Sequence, residues 1–192
     1  VHYTTFMKGL AAAGHLADAA ELLRAMCLSR ETEPDLITYS MLVKAHADRG
    51  EVAGAMEVLR RMLRQGVRAD AVVLNMVLSG CAAAETPAPE VLRVLEALRQ
   101  EGLQPSTVTL SILVKAMAAT GSWADALEAL EAAPERLGLW PEARLHAQLA
   151  QASAKAGRPE VALAAYASMV RVASRRGAQV SRASNGRMLQ IF

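Results

Sequence analysis

Catalysis needs reactive side chains held close together, and in this 192-residue chain they are scattered. The four histidines, His2, His15, His46 and His146, have neither metal-ligand nor triad-like spacing. The two cysteines, Cys27 and Cys81, have no ligand partner and read as small buried hydrophobes of a reducing compartment. No glycine loop fit to cradle a phosphate is present. The expectation is therefore a chain that is not an enzyme, with no catalytic residue, metal, cofactor or small-molecule substrate. The four lysines are distributed otherwise. Lys8, Lys44 and Lys115 recur at intervals of 36 and 71 residues, the second being two periods, and Lys155 follows. A column of ammonium groups on one helix face suits a phosphate backbone. Solvated lysines on an exposed face are the alternative reading.

The elements that carry these residues are helices. Hydrophobic residues make up 53% of the chain but aromatics only 4%, and alanine fills many apolar positions, which favours helices packed closely on helices. No apolar run approaches the roughly 18 residues of a membrane span. The best candidate, from Leu110 to Ala119, is interrupted by Lys115. No signal or transit segment is legible from Val1 onward. Of the net charge of +2, the five arginines Arg171, Arg175, Arg176, Arg182 and Arg187 contribute +5, which leaves residues 1–170 at −3. Such a body is poorly suited to strong non-specific binding of nucleic acid.

The lysine period is shared by other columns. Tyr3, Tyr39, Leu74, Leu110 and His146 fall in register, as do Gly14, Gly50, Gly121 and Gly157. Ala19, Ala55, Ala126 and Ala162 follow those glycines by five residues, and Met26, Met62, Leu98 and Met169 form a further column. Pro34, Pro105 and Pro141 close three blocks. Each block reads as helix, turn, helix, turn, with the glycine reversing the chain and the alanine letting the two helices approach. His46 is expected to pack within its hairpin, and Pro134 to kink or end the helix that contains it. In the third block Glu85-Thr86-Pro87-Ala88-Pro89 replaces the glycine turn. The boundaries are 1–35, 36–70, 71–106 and 107–142, a degenerate fifth block at 143–180, and a cap or the start of another block at 181–192. A hairpin of this size cannot bury both faces alone. The expected fold is an all-α solenoid of right-handed, stacked helix-turn-helix hairpins with a concave surface lined by the first helices.

The block with Thr38-Tyr39-Ser40 near its start, Gly50, Ala55, Met62 and a terminal Asp70 resembles the pentatricopeptide repeat. The tetratricopeptide relative runs at about 34 residues with a tryptophan near the start of its first helix. Trp123 and Trp140 stand elsewhere. The resemblance extends well over residues 1 to 142 and poorly over 143–180. It implies single-stranded RNA binding at one base per repeat, in a chloroplast or mitochondrion, in RNA processing, stability or translation. Base-reading residues carried over are Thr4 with Asp35, Ser40 with Asp70, Asn75 with Ser106, and Ser111 with Glu142. Val1, Ile37, Val72 and Val108 would pack on base faces, and Lys8, Lys44 and Lys115 would follow phosphates. By the family's pairing habits the first two repeats favour guanine and the third a pyrimidine, and the pair of Ser111 with Glu142 in the fourth has no clear preference. The fifth block offers Arg144 and Ala147, which leave the pattern. The deaminase extension of some members, which needs His-x-Glu and Cys-x-x-Cys, is not found.

Each of these residues also has a structural reading. Asp35, Asp70, Ser106 and Glu142 fall where helices need N-caps, and Thr4, Ser40 and Ser111 suit a helix surface. A non-catalytic scaffold that binds protein partners in a large organellar complex is thus the alternative, and the acidic balance of residues 1–170 favours it.

Overall fold

The computed structural model describes residues 2–29 and 32–175. Ten α-helices and no strands occur among the described residues: α1 (His2–Ala12), α2 (Leu16–Leu28), α3 (Leu36–Asp48), α4 (Val52–Arg64), α5 (Ala71–Ala83), α6 (Ala88–Gln100), α7 (Thr107–Ala119), α8 (Trp123–Leu137), α9 (Ala143–Lys155) and α10 (Pro159–Arg175). The fold is an all-α solenoid of helix hairpins. Two compact units can be distinguished. The first comprises Val1–Ala84 and Val94–Gln104, the second Glu85–Arg93 and Pro105–Phe192.

In the first unit α3 packs on its partner α4 and on the neighbouring first helices α1 and α5. Tyr39, Leu42, Val43, Leu59, Met62, Val73, Leu74, Val77 and Leu78 have no exposed surface. In the second unit α7 packs on α8 and α9, and α9 on α10, around Leu110, Leu113, Met117, Leu130, Leu149 and Met169. The alanine column is fully buried at Ala19, Ala55, Ala126 and Ala162. A longer side chain there would hold the two helices of a hairpin apart.

The third block shows how the turn sets this register. Gly14, Gly50, Gly121 and Gly157 all adopt positive φ, between 71° and 82°. In the third block Glu85 takes that place at φ 49°, the one described residue other than glycine with positive φ. The turn then runs through Thr86 and Pro87 before α6 begins, one residue longer than the turn at Gly50. Val91 accordingly fills the fully buried alanine position. Glutamate is strained in the left-handed region, so Glu85→Gly should stabilise the fold by about 1 kcal/mol. A urea midpoint that stays level or falls would contradict this.

One expectation is corrected. Pro134 does not end α8 early, for the helix continues to Leu137 and spans 15 residues against 13 for α2, α4 and α6. Near a C-terminus proline deletes a single hydrogen bond, and Gly138 at φ 66° closes the helix. The arginines from 171 onward do not all form a tail either. Arg171 lies on α10 and pairs with Glu131 of α8. Arg176, Arg182, Arg187 and the segment 181–192 lie outside the described residues.

Candidate nucleic-acid interface

The terminal residue of a block is the start of the next helix. Asp35 precedes α3, and its Oδ1 accepts from the Thr38 backbone N–H at 2.8 Å and from the Thr38 hydroxyl at 2.7 Å. These bonds, the backbone one foremost, hold the Asp35 carboxyl below its usual range. Asp70 does the same for α5, its Oδ1 accepting from the N–H groups of Val72 and Val73, both at 3.0 Å. Each cap thus engages the same single carboxylate oxygen. At α7 the Ser106 N–H donates to Thr109 Oγ1 at 2.8 Å. Glu142 differs, because its side chain makes no cap bond to α9. Its carboxylate instead lies 3.9 Å from Arg144 Nε. The cap reading therefore applies to Asp35, Asp70 and Ser106, and fails for the Glu142 side chain.

Two residues further on, the pattern is exposed. Ile37, Val72 and Val108 are 62%, 56% and 57% accessible at one helical register in three first helices. The core does not use these side chains, although the residues that follow, Thr38, Val73 and Thr109, are buried. Val1 lies outside the described residues. Thr4, Ser40, Asn75 and Ser111 are half-buried on α1, α3, α5 and α7. Among the described residues the hydroxyls of Ser40 and Ser111 have no hydrogen-bond partner.

The second unit gathers the fourth set into one place. Val108, Ser111 and Glu142 line a cavity of about 270 Å³ between α7 and α9, together with Pro141, Arg144 and Gln148. In the first unit the first two sets sit on adjacent elements, Thr4 on α1 and Asp35 at the start of α3, then Ile37 and Ser40 on α3 and Asp70 at the start of α5. Val72 and Asn75 belong to the first unit and Ser106 to the second.

Lys8 and Lys44 line a second cavity, of about 470 Å³, between α1 and α3. Lys44 is not an isolated cation there, since Nζ reaches both oxygens of Asp48 at 2.9 and 2.8 Å. Four residues apart on α3, the two side chains lie one helical turn from each other. Lys115 is exposed on α7. Gln148 is a cavity residue that the repeat comparison missed, and Arg144 one that it named only as leaving the pattern. Their block had lost the pattern, and only the three-dimensional arrangement puts α9 against α7.

The remaining reactive groups have structural roles. His46 packs in its hairpin, with Nδ1 2.8 Å from Glu51 Oε2, while Arg49 Nε donates to Glu51 Oε1 at 2.8 Å. These contacts, that of His46 foremost, hold the Glu51 carboxyl below its usual range. Cys81 is buried, whereas Cys27 is half-buried with Sγ 3.5 Å from the Tyr39 hydroxyl. Burial and this contact push the Tyr39 hydroxyl well above its usual value. Among the described residues no group of three His, Cys, Asp or Glu could hold a metal, and no helix is long and apolar enough to cross a membrane.

A family model described as a pentatricopeptide repeat-containing protein matches residues 4–133. No curated protein matches the chain. Several solved structures share the fold. The pentatricopeptide repeat protein PPR10 from maize gives a TM-score of 0.64 at 24% identity, over 98% of this chain and 26% of that one. The same protein in complex with an 18-nt psaJ RNA element gives 0.61 at 21% identity, over 97% of this chain and 35% of that one. The repeat domain of Arabidopsis thaliana protein-only RNase P 1, in complex with tRNA, gives 0.60 at 13% identity, over 97% and 95%. The chain thus spans between a quarter and about a third of the PPR10 chains.

Proposed function

Because the chain belongs to the pentatricopeptide repeat family, we propose that it binds single-stranded RNA along its first helices, one base to a repeat, as a non-catalytic adaptor in a chloroplast or mitochondrion. RNA processing, stability or translation is the corresponding role. The observation that carries this reading is the cavity in the second unit. There an exposed β-branched side chain, a hydroxyl and a carboxylate converge from α7 and the start of α9. An apolar wall and two kinds of hydrogen-bonding group are what an unstacked base requires. The recurrence of Ile37, Val72 and Val108 as exposed side chains supports the same use in other repeats. The Asp caps are compatible with it, since both engage Oδ1 and a second carboxylate oxygen can accept from a base. Thr4 with Asp35 and Ser40 with Asp70 then read guanine. Lys8, Lys44 and Lys115 would follow the phosphates.

Three or four bases, each contributing about 1–3 kcal/mol, must offset an association cost of about 4–15 kcal/mol. The expected affinity of this segment alone is micromolar or weaker. The second reading, a scaffold for protein partners in an organellar complex, is favoured by the balance of −3 over residues 1–170 and by the Asp48 carboxylate on Lys44.

A crosslinked pull-down from organelle lysate, split with and without RNase, separates the two. Enrichment of RNA that drops several-fold in the Ser40→Ala, Asn75→Ala double variant is the expected result. Stoichiometric recovery of the same proteins after RNase, with no RNA crosslinked, would establish the scaffold instead.

A further inference from the structure

The second helices of the first two hairpins, α2 and α4, border a cavity of about 350 Å³. Arg24 lines it from α2, and Arg61 and Arg64 from α4, beside Cys27, Leu28 and Gln65. Both helices belong to the first unit. Arg61 and Arg64 stand in the last turn of α4, where the free carbonyls of a helix end favour cations. That reason does not extend to Arg24, for the last turn of α2 holds no basic residue.

These cations are short of counter-charge. Glu57 Oε1 lies 3.3 Å from Arg64 Nη2, with the two side chains 60% and 64% exposed, a pair loose enough for a ligand to part. Neither Arg24 nor Arg61 pairs with a carboxylate among the described residues. Other arginines of α4 and α6 do. Arg60 lies 3.8 Å from Glu101, Arg93 2.7 Å from Glu90 and Arg99 3.0 Å from Glu96. The positive excess is therefore local, in a body whose balance over residues 1–170 is −3. Leu28 adds a second component. It is 87% exposed, more than any other large hydrophobic among the described residues, and it borders the same cavity.

We propose that this cavity docks an acidic peptide segment of a protein partner, with two or more carboxylates beside an aliphatic residue. Each guanidinium presents a fork of N–H donors that matches the two oxygens of a carboxylate. Leu28 gives the aliphatic side chain an apolar surface to cover. The volume is at the small end of ligand clefts, which run from about 300 to 1,000 Å³, and suits a few side chains. An extended phosphate chain fits less well, because it needs cations that recur along its path, and Arg60, Arg93 and Arg99 are already neutralised. None of the residues assigned above to RNA lies on α2 or α4, so peptide and RNA would not compete.

The test uses the purified chain and a displayed library of random dodecapeptides, with folding of each variant checked by circular dichroism. The selected peptides are expected to be enriched in Asp or Glu flanking Leu, Ile or Val. Measured by fluorescence anisotropy, Arg24→Gln and Arg61→Gln each weaken the selected peptide about tenfold, the range of one lost charge-assisted hydrogen bond. Leu28→Gln weakens it several-fold, and Arg93→Gln, at an arginine already paired, leaves it unchanged. An octanucleotide RNA pool binds the Arg24→Gln and Arg61→Gln proteins as it binds the wild type. Selected peptides with no acidic enrichment, or an acidic peptide held equally well by the wild type and the three cavity variants, would overturn the docking site. RNA binding lost in the two arginine variants would overturn it as well, and would make the cavity an RNA contact.

Discussion

Replacing Gly80 by leucine is expected to lower the stability of the unit containing it by on the order of 3 kcal/mol. Gly80 is buried on α5, where that helix crosses α3. A Cβ at this position would lie 3.0 Å from the Ala47 Cα and 3.2 Å from its Cβ. The first of these is a backbone atom, which no rotamer change can move aside. Alanine at 80 would recover about 1 kcal/mol of helix propensity and lose much of it to this contact. Leucine adds three more carbons with no space for them and must push α3 from α5. Gly9, in the same column, is the control. A Cβ there meets nothing within 4 Å, so Gly9→Ala should gain about 0.5–1 kcal/mol. Thermal melts followed at 222 nm decide the matter. A loss of about 3 kcal/mol corresponds to a fall of roughly 6–12 °C for a chain of this size. A Gly80→Leu protein that melts with the wild type would show that the two helices do not touch as described.

Acid should weaken the second unit before any carboxylate titrates. His146 has no exposed surface. Its Nδ1 faces the Glu142 carbonyl oxygen at 3.3 Å and its Nε2 the Ser168 hydroxyl at 3.4 Å. A carbonyl only accepts, so Nδ1 carries the proton, and Nε2 accepts from Ser168 in the neutral ring. Desolvation is the main cause of a pKa held below the ordinary 6.5, with Arg171 acting in the same direction and Glu131 and the Glu142 carbonyl opposing. Between the native and the unfolded pKa the unfolded chain binds a proton that the folded chain does not, so stability rises with pH across that window. The contribution is complete above pH 6.5 and is lost as pH falls toward the native value, with a limiting slope of about 1.4 kcal/mol per pH unit. His146→Leu places in α9 the residue that Leu74 and Leu110 supply at the same column. Urea midpoints between pH 7.5 and 5 should fall for the wild type and stay level for this variant. Equal slopes for both would remove His146 as the cause. Asp35 and Glu51, whose carboxyls are held low, lose their contributions only at more acid pH.

The sequence shows the family, the helical class and the register of the apolar columns, because each rests on a residue type that the geometry forces. A chain reversal every 36 residues selects glycine, and close packing within a hairpin selects alanine. Where other residues can satisfy the same geometry, the sequence is less legible. Glu85 occupies a left-handed turn that no pattern would assign to a glutamate. Pro134 sits so near the end of α8 that its missing N–H breaks little. The interface divides in the same way. Ile37, Val72 and Val108 could be located from the repeat, and the structure adds that they are exposed where a core helix has no need of them. Gln148 could not be located and Arg144 was set aside, because both line the gap between two hairpins rather than one face of a repeat that keeps the pattern. Glu142 looked like a cap from its place in the chain, yet its carboxylate makes no bond to the helix it precedes.

The caps at Asp35 and Asp70 restrict how such a surface could change its target. On the RNA-binding reading, the residue that starts a helix is also a letter of the recognition code. Any substitution there is weighed twice, once by the nucleotide and once by the one or two backbone N–H groups it must satisfy. Losing the cap costs about 1 kcal/mol, and in a stack of hairpins such losses accumulate. The usable alphabet at this position is therefore short, essentially Asp, Asn, Ser and Thr. A redesign that needs another letter would have to supply a replacement acceptor for those N–H groups from elsewhere in the fold.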